Sequence, residues 1–224
     1  MSLFGRFSAI SRERKFTLFH DLMHPEPALR ILDVGAEVDP GDRTGRQFID
    51  RYPWKETLSA LNLSPEHVRA IQERYPTIDA RTGDARQIPW PDKHFDIVWS
   101  NAVIEHVGNF EDQQQMAREI MRVGKRWFVT TPNRWYPYEF HLRLPLVTWL
   151  PWHGYVACGR LVRYNHVEQR YVWGAGPEYL RLLSASEMAR CFPGSRIIKN
   201  HKGRIRVKSI PGQGSVFYIT LEAQ

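Results

Sequence analysis

Five short apolar runs alternate with helix-forming segments through the first 133 residues of this 224-residue chain. That alternation constrains the fold more than any single motif. Strands that alternate regularly with helices pair in parallel, through right-handed crossovers, with helices on both faces of the sheet. The runs are residues 30–35, 57–63, 78–82, 95–100 and 126–131. Between them, Ser64, Pro65 and Glu66 make a strong helix start: a cap, a residue fit for the first helical position, and an acid in the first turn. Residues 46–52 and 111–123 read as the neighbouring helices, the latter with Met116, Ile120, Met121 and Val123 on its apolar side. The expected fold is α/β: a three-layer sandwich around a mostly parallel sheet.

Outside that frame the chain has three further parts. Residues 1–29 read as a leader with one helix, about 11–23, whose apolar face is Phe16, Leu18, Phe19 and Leu22. His24, Pro25 and Pro27 stop it. Residues 135–180 break the alternation with Trp, Tyr, Pro, His and Arg, and read as an insertion over the carboxyl edge of the sheet. After a helix at 184–192, residues 204–208 and 215–221 alternate apolar and polar around Pro211, Gly212 and Gly214, the pattern of a β-hairpin in a C-terminal section 197–224. One domain, 1–224, holds all of these.

Charge and cysteines narrow the class. The net charge is +7, and six basic residues against one acid lie between Pro193 and Gln224. A solvated basic edge explains that excess without a nucleic-acid partner. Cys158 and Cys191 have neither metal-ligand nor redox spacing, and a reduced, cytoplasmic protein is the simplest reading. The most apolar segment, 142–162, is interrupted by Pro145, Pro151 and Gly154 and carries Arg143 and Arg160, so it does not read as a membrane span.

Polar residues gather where the strands end, the place where open α/β sheets bind ligands. Asp33 and Gly35 close the first strand, and the glycine permits close approach of a ligand to the backbone. A pyrophosphate loop needs two more glycines nearby. Glu37 and Asp39 stand there instead and would repel a phosphate. This argues against NAD or FAD and fits a ligand without phosphates. Asn62 ends the second strand with a neutral amide able to bond a hydroxyl. Asp84, after the third, can accept from an exocyclic amine, while a neighbouring N–H meets a ring nitrogen. Ser100 and Asn101 end the fourth, followed by Glu105 and His106.

The series Ile31-Leu32-Asp33-Val34-Gly35, Leu61-Asn62-Leu63-Ser64-Pro65-Glu66, Gly83-Asp84-Ala85, Phe95 through Val107, and Glu119 through Val123 resembles the class I S-adenosylmethionine-dependent methyltransferases, in particular the branch labelled methyltransferase type 11. The resemblance covers about residues 28–133. It implies a seven-stranded sheet of order 3-2-1-4-5-7-6 with the last strand antiparallel. It also implies S-adenosyl-L-methionine as cofactor: Asp33 and Gly35 at its methionine and ribose part, Asn62 at the ribose hydroxyls, Asp84 and Ala85 at the adenine edge, Ser100 and Asn101 under the methionine, with Leu63 also among the cofactor-binding residues. Asn62 stands where the family usually has an acid, and the first loop is poor in glycine.

Methyl transfer requires an acceptor placed in line with the S–CH3 bond and water excluded. A general base helps when the acceptor is a hydroxyl. The candidates are His106, Glu105 and His141, with Glu139 beside them. Some related O-methyltransferases hold a divalent metal with a Glu-His pair and another Glu three residues earlier. Ala102 occupies that place, so no metal is expected. The insertion suits a small-molecule or lipid-like acceptor and peripheral contact with a membrane. O-methylation is expected on family grounds. The alternative is a non-catalytic cofactor-binding or interaction protein with a degenerate site. The signature usual for methylation of base amines, Asn/Asp-Pro-Pro-aromatic, is missing: Thr131-Pro132-Asn133 stands at the fifth strand's exit. Residues 197–221 also resemble the end of a histidine-kinase ATP-binding domain, but the kinase's ATP motifs are missing from the sequence, so no ATP site is carried over.

Overall fold

A computed structural model describes residues 3–38, 47–135, 138–139, 142, 144–165, 170–173, 180–200 and 215–219. The first half follows the alternation: α1 (Leu3–Met23), β1 (Ile31–Val34), α2 (Phe48–Arg51), β2 (Leu58–Asn62), α3 (Pro65–Arg74), β3 (Asp79–Thr82), β4 (Phe95–Asn101), α4 (Phe110–Val123) and β5 (Gly124–Pro132). Local chemistry sets the boundaries. Ser64 Oγ accepts from the backbone N–H groups of Glu66 and His67, with Pro65 in the first turn of α3. Asn109 and Asp112 form a reciprocal capping box at the start of α4.

The main sheet has the order β3-β2-β1-β4-β5-β11-β10, where β10 is Arg196–Asn200 and β11 is Ser215–Ile219. Counting the last two as the sixth and seventh strands, this is the order 3-2-1-4-5-7-6. The direction of the last strand differs from expectation. β11 runs parallel to both β5 and β10, not antiparallel. The second arm of the expected C-terminal hairpin contains β11. Residues 204–208 lie outside the described residues, and β11 pairs with two parallel neighbours. A tight turn joins only antiparallel strands, whereas parallel neighbours need a connection of about a dozen residues or more. Residues 201–214 supply that length.

The sheet is buried on both faces, which explains why its strands read as nearly continuous apolar runs. On one face α1, α2 and α3 pack through Phe19, Phe48, Ile49, Tyr52 and Ile71 onto Ile31, Trp99 and Phe128. Trp99 is stacked between Phe48 (4.3 Å between centroids) and Phe128 (4.9 Å), and Phe19 meets its edge at 5.2 Å. On the other face α4 and α6 (Ala185–Cys191) bury Met116, Ile120, Met188 and Phe192 against Leu32, Val98 and Val129. α1 is longer than its apolar pattern predicts. It starts at Leu3, ahead of the expected start near residue 11.

The chain leaves the carboxyl end of β5 at Asn133 and returns at Leu183, and these two residues form a parallel bridge. Between them lie the pair β6 (Tyr138–Glu139) and β7 (Leu144–Pro145), a single 3-10 turn at Val147–Trp149, α5 (Trp152–Leu161), and the hairpin of β8 (Val162–Asn165) and β9 (Arg170–Trp173). Leu142, Val147, Tyr155 and Leu180 give this insertion a small core of its own. Among the described residues no helix is long and apolar enough to cross a membrane.

Candidate active site

β3, β2, β1 and β4 are consecutive neighbours that all run the same way, so their exits lie side by side. The sequence-predicted residues Asp33, Gly35, Asn62, Leu63, Asp84, Ala85, Ser100 and Asn101 therefore gather along one edge of the sheet. Pleating divides them between its faces. Asp33 lies beside Trp99 in the β1–β4 register and shares the α1 face with Ile31. Asn101 follows Trp99 by two residues onto that same face. Ser100 follows Val98 onto the α4 face.

Gly35 has φ +82°, and a Cβ there would run into the Val103 side chain. Both the turn and the close approach demand glycine. Its N–H and that of Ala36 donate to Leu61 O at 2.8 and 3.2 Å, which ties the β1 exit to β2. Asp33 is 4% exposed, and among the described residues its carboxyl meets no hydrogen-bond donor. Burial, helped by the charge of Glu37, pushes its pKa well above the usual carboxylate range. A buried acid with no cation beside it among the described residues is a site that a cationic ligand group would complete.

Two candidates are already employed locally. Asn62 Nδ2 donates to Ala36 O at 2.7 Å, and its Oδ1 accepts from Ser64 N at 2.8 Å. One amide thus fastens both the β1 exit and the start of α3. Asp84 is gripped by Arg86, whose backbone N–H (2.8 Å) and guanidinium (2.6–3.1 Å) both donate to it. Arg86 reaches on to Asp112 at 2.8 Å. This pairing, above all the Arg86 side-chain bonds, holds the Asp84 carboxyl below its ordinary pKa and keeps it ionised. Leu63 is 72% exposed at the rim, a flat apolar surface beside these polar groups.

At the β4 exit, Lys15 Nζ and Thr130 Oγ1 both donate to Asn101 Oδ1, each at 2.7 Å. Burial is the largest influence on Lys15 and lowers its pKa to about 8. Ala102, next in the chain, sits at φ +57°, a left-handed conformation uncommon outside glycine, and its N–H donates to Thr130 O. A 3-10 turn, Ile104–His106, then separates the predicted Glu-His pair. Glu105 is fully buried on the α4 face: Oε2 accepts from Thr131 Oγ1 at 3.0 Å, and Oε1 has no partner. His106 is exposed. Ser100 Oγ is likewise buried without a partner. His141 lies outside the described residues, as does the side chain of Glu139. No group of three His, Cys, Asp or Glu side chains among the described residues could hold a metal ion.

Sequence reasoning missed three residues here. Lys15 is polar and so does not show in the apolar pattern of α1. Its signal was position: Lys15 lies one turn before Phe19, on the buried side of the helix. Gln113 is fully buried and donates to Ile104 O and Arg181 O, and Arg181 Nη1 donates back to Gln113 Oε1 at 2.8 Å. Arg181 N also donates to Glu105 O. This network pins the Glu105 turn to the returning end of the insertion. Beside it opens a cavity of about 110 Å³ lined by Arg134, Thr148, Tyr155, Leu180 and Arg181 among others.

Comparison with known proteins agrees with this geometry. Residues 38–127 match the family described as "Methyltransferase domain". A probable S-adenosylmethionine-dependent methyltransferase of Mycolicibacterium smegmatis is 44% identical over 71 residues, 30% of this chain and 25% of the relative. A ubiquinone biosynthesis O-methyltransferase of a Chelativorans species is 28% identical over 157 residues, 65% of this chain and 57% of the relative. The chain thus spans between a quarter and just over half the length of these relatives. A solved S-adenosylmethionine-dependent methyltransferase from Methanosarcina mazei superimposes with a TM-score of 0.50 at 12% identity, over 78% of this chain and 81% of the other. The fold is the one seen in that solved structure, and the matched methyltransferase-domain segment, residues 38–127, holds β2 to β4 and α4 of it.

Proposed function

We propose that this protein transfers a methyl group from S-adenosyl-L-methionine to an oxygen of a small-molecule or lipid-like acceptor. The observation that carries this reading is Asp33, a buried carboxyl without a described counter-charge, two residues before the Gly35 turn. When bound, the cofactor supplies a methyl group activated on a sulfonium. The chain's own groups bind, orient and exclude water. Asp33 takes up the ammonium of the methionine end. Asp84, held ionised by Arg86, accepts from the adenine amine, and the Ala85 N–H serves a ring nitrogen. Leu63 offers its exposed face to the adenine. Asn62 shapes the ribose side while fastening two turns. Ser100 and Asn101 form the floor.

The acceptor enters from the side of the insertion, where Arg181 links the Glu105 turn to the cavity lined by Arg134 and Tyr155. His106, exposed on that turn, takes the hydroxyl proton as the acceptor oxygen attacks. O-methylation is supported by the name of the Chelativorans relative, which also points to a quinone-like, lipid-soluble acceptor. Trp149 and Trp173 are 51% and 78% exposed on the insertion, and residues 142–165 contain no Asp or Glu. An aromatic, basic, acid-free surface suits peripheral contact with an anionic membrane.

Isothermal titration with S-adenosylmethionine and S-adenosylhomocysteine tests the reading, and lack of binding of either at millimolar concentration refutes it. His106→Ala is expected to slow turnover while leaving S-adenosylhomocysteine affinity intact. Binding without turnover on any extracted lipid or quinone would instead favour a non-catalytic cofactor-binding protein.

A further inference from the structure

The cavity beside the Glu105 turn carries a charge that methyl transfer alone does not need. Leu150, Leu180, Thr148 and Tyr155 line it together with two arginines, Arg134 and Arg181. The two arginines differ in how their charge is answered. Arg181 Nη2 pairs with Glu187 Oε1 at 2.5 Å, and its Nη1 donates to Gln113 Oε1 at 2.8 Å. The Phe110 ring lies 4.8 Å from its guanidinium carbon. Arg181 is therefore both neutralised and fixed in place.

Arg134 has no such acid. Its backbone N–H donates to Leu183 O at 3.2 Å, next to the Asn133–Leu183 bridge, so its backbone is held at the exit of β5. The guanidinium meets the Trp135 ring, 5.6 Å from its centroid. A ring contact leaves the N–H donors of a guanidinium open. No hydrogen bond or ion pair joins those donors to an acceptor among the described residues. The described lining also contains no carboxylate, so one positive charge in the cavity stands unanswered.

A single charge matches a monoanion. A phosphate monoester carries close to two negative charges at neutral pH. A carboxylate carries one, and its two oxygens fit the paired N–H groups of a guanidinium. The leucines ask for an apolar body on the same molecule. The space is about 110 Å³, and an apolar cavity of about 150 Å³ takes a benzene ring, so a single ring is the largest body that fits inside. Arg181 N donates to Glu105 O, one residue before His106, so the cavity adjoins the turn that carries the proposed base.

We propose that Arg134 determines acceptor specificity: it holds the carboxylate of a small hydroxy acid whose apolar body fills this cavity. The role as acceptor rests on the methyl-transfer reading, whereas the preference for an acid rests on the cavity.

The test titrates 4-hydroxybenzoate and its neutral counterpart 4-hydroxybenzamide into the S-adenosylhomocysteine complexes of wild type, Arg134→Met and Arg134→Lys. The Arg134 side chain makes no hydrogen bond among the described residues, so Arg134→Met is expected to fold and melt as wild type does. Wild type should bind the acid more tightly than the amide by about tenfold or more, the scale of one hydrogen bond between charged partners. Arg134→Met should lose that preference while keeping its affinity for the amide. Arg134→Lys retains the charge without the fork and should recover part of it. Unchanged acid affinity in folded Arg134→Met, an equal loss of both compounds, or no preference for the acid in wild type would overturn the assignment. Binding of neither compound to wild type at millimolar concentration would overturn it as well. Failure of wild type to bind S-adenosylhomocysteine would instead defeat the methyl-transfer reading, and the same comparison of acid with amide on the free protein would then decide whether Arg134 holds a carboxylate.

Discussion

Asp33→Asn separates a binding role from a structural one, because the two predict opposite signs. If the carboxylate receives the cofactor's ammonium, the variant loses one hydrogen bond between charged partners. Such bonds are worth about 1.5–3 kcal/mol, which corresponds to S-adenosylhomocysteine binding weaker on the order of 10- to 150-fold. Stability should move the other way. The Asp33 pKa is raised on folding, so above the unfolded value of 3.8 the native state retains a proton that the unfolded state has released. Stability then falls as pH rises from there to the folded pKa, and it stays reduced above that value. Asparagine keeps the shape and removes the titration, so stability at pH 7 should be unchanged or higher, with a flatter pH profile. Wild-type affinity should also tighten as pH rises through the folded pKa of Asp33, because the proton must leave before the ammonium can pair. The variant should lack that dependence. Titration calorimetry at several pH values, with thermal melts of the same samples, reads all three. An affinity change below about threefold, or about 0.7 kcal/mol, together with a lowered melting temperature, would show Asp33 to be structural.

Gly35→Ala should destabilise the protein by about 1–3 kcal/mol, the usual cost of a strained backbone conformation, with added cost from the clash with Val103. Urea unfolding measures it, and Val103→Ala in the same chain should recover the clash but not the φ penalty. Arg122→Ala should lower stability by about 1.5–3 kcal/mol, the scale of lost charged hydrogen bonds. Its guanidinium bonds Glu119, Asp92 and the carbonyls of Ile88 and Trp90, fastening the loop before β4 to α4, and thermal melts report the loss. Trp149→Ser with Trp173→Ser should reduce co-sedimentation with anionic liposomes without changing S-adenosylhomocysteine affinity. Equal sedimentation would remove the membrane from the proposal.

Most of the central sheet was legible because burial on both faces writes itself into composition: Ile31, Leu32, Val98 and Val129 could belong only to a covered strand. The caps at Ser64 and Asn109 were legible because they are local. The direction of β11 was not, since an alternating strand reads the same whichever way its neighbour runs. The task of Arg122 was also hidden. The sequence offers a basic residue near a helix end, and its four partners lie about thirty residues back in the loop before β4 or one turn away on its own helix. Glu105 and His106, adjacent in sequence, proved to have opposite environments, because a 3-10 turn sends neighbouring side chains in different directions.

The candidate site then divides by how completely its charges are answered within the protein. Asn62 and Asp84, the residues most readily chosen by pattern, already hold local partners and shape the edge whether or not a ligand is there. Asp33 and Lys15 are different. They lie on the same face of the sheet, at the exits of the adjacent strands β1 and β4, with opposite charges and no described ion-pair partner. Each is shifted by burial toward its neutral form, Asp33 upward and Lys15 down to about 8. Both shifts are reversed by a ligand that presents an ammonium to one and a carboxylate to the other. A free amino-acid end has that pair of charges on a single carbon. Loss of affinity in both Asp33→Asn and Lys15→Met for S-adenosylhomocysteine, but in neither for methylthioadenosine, would therefore place the amino-acid end of the cofactor across the β1–β4 step.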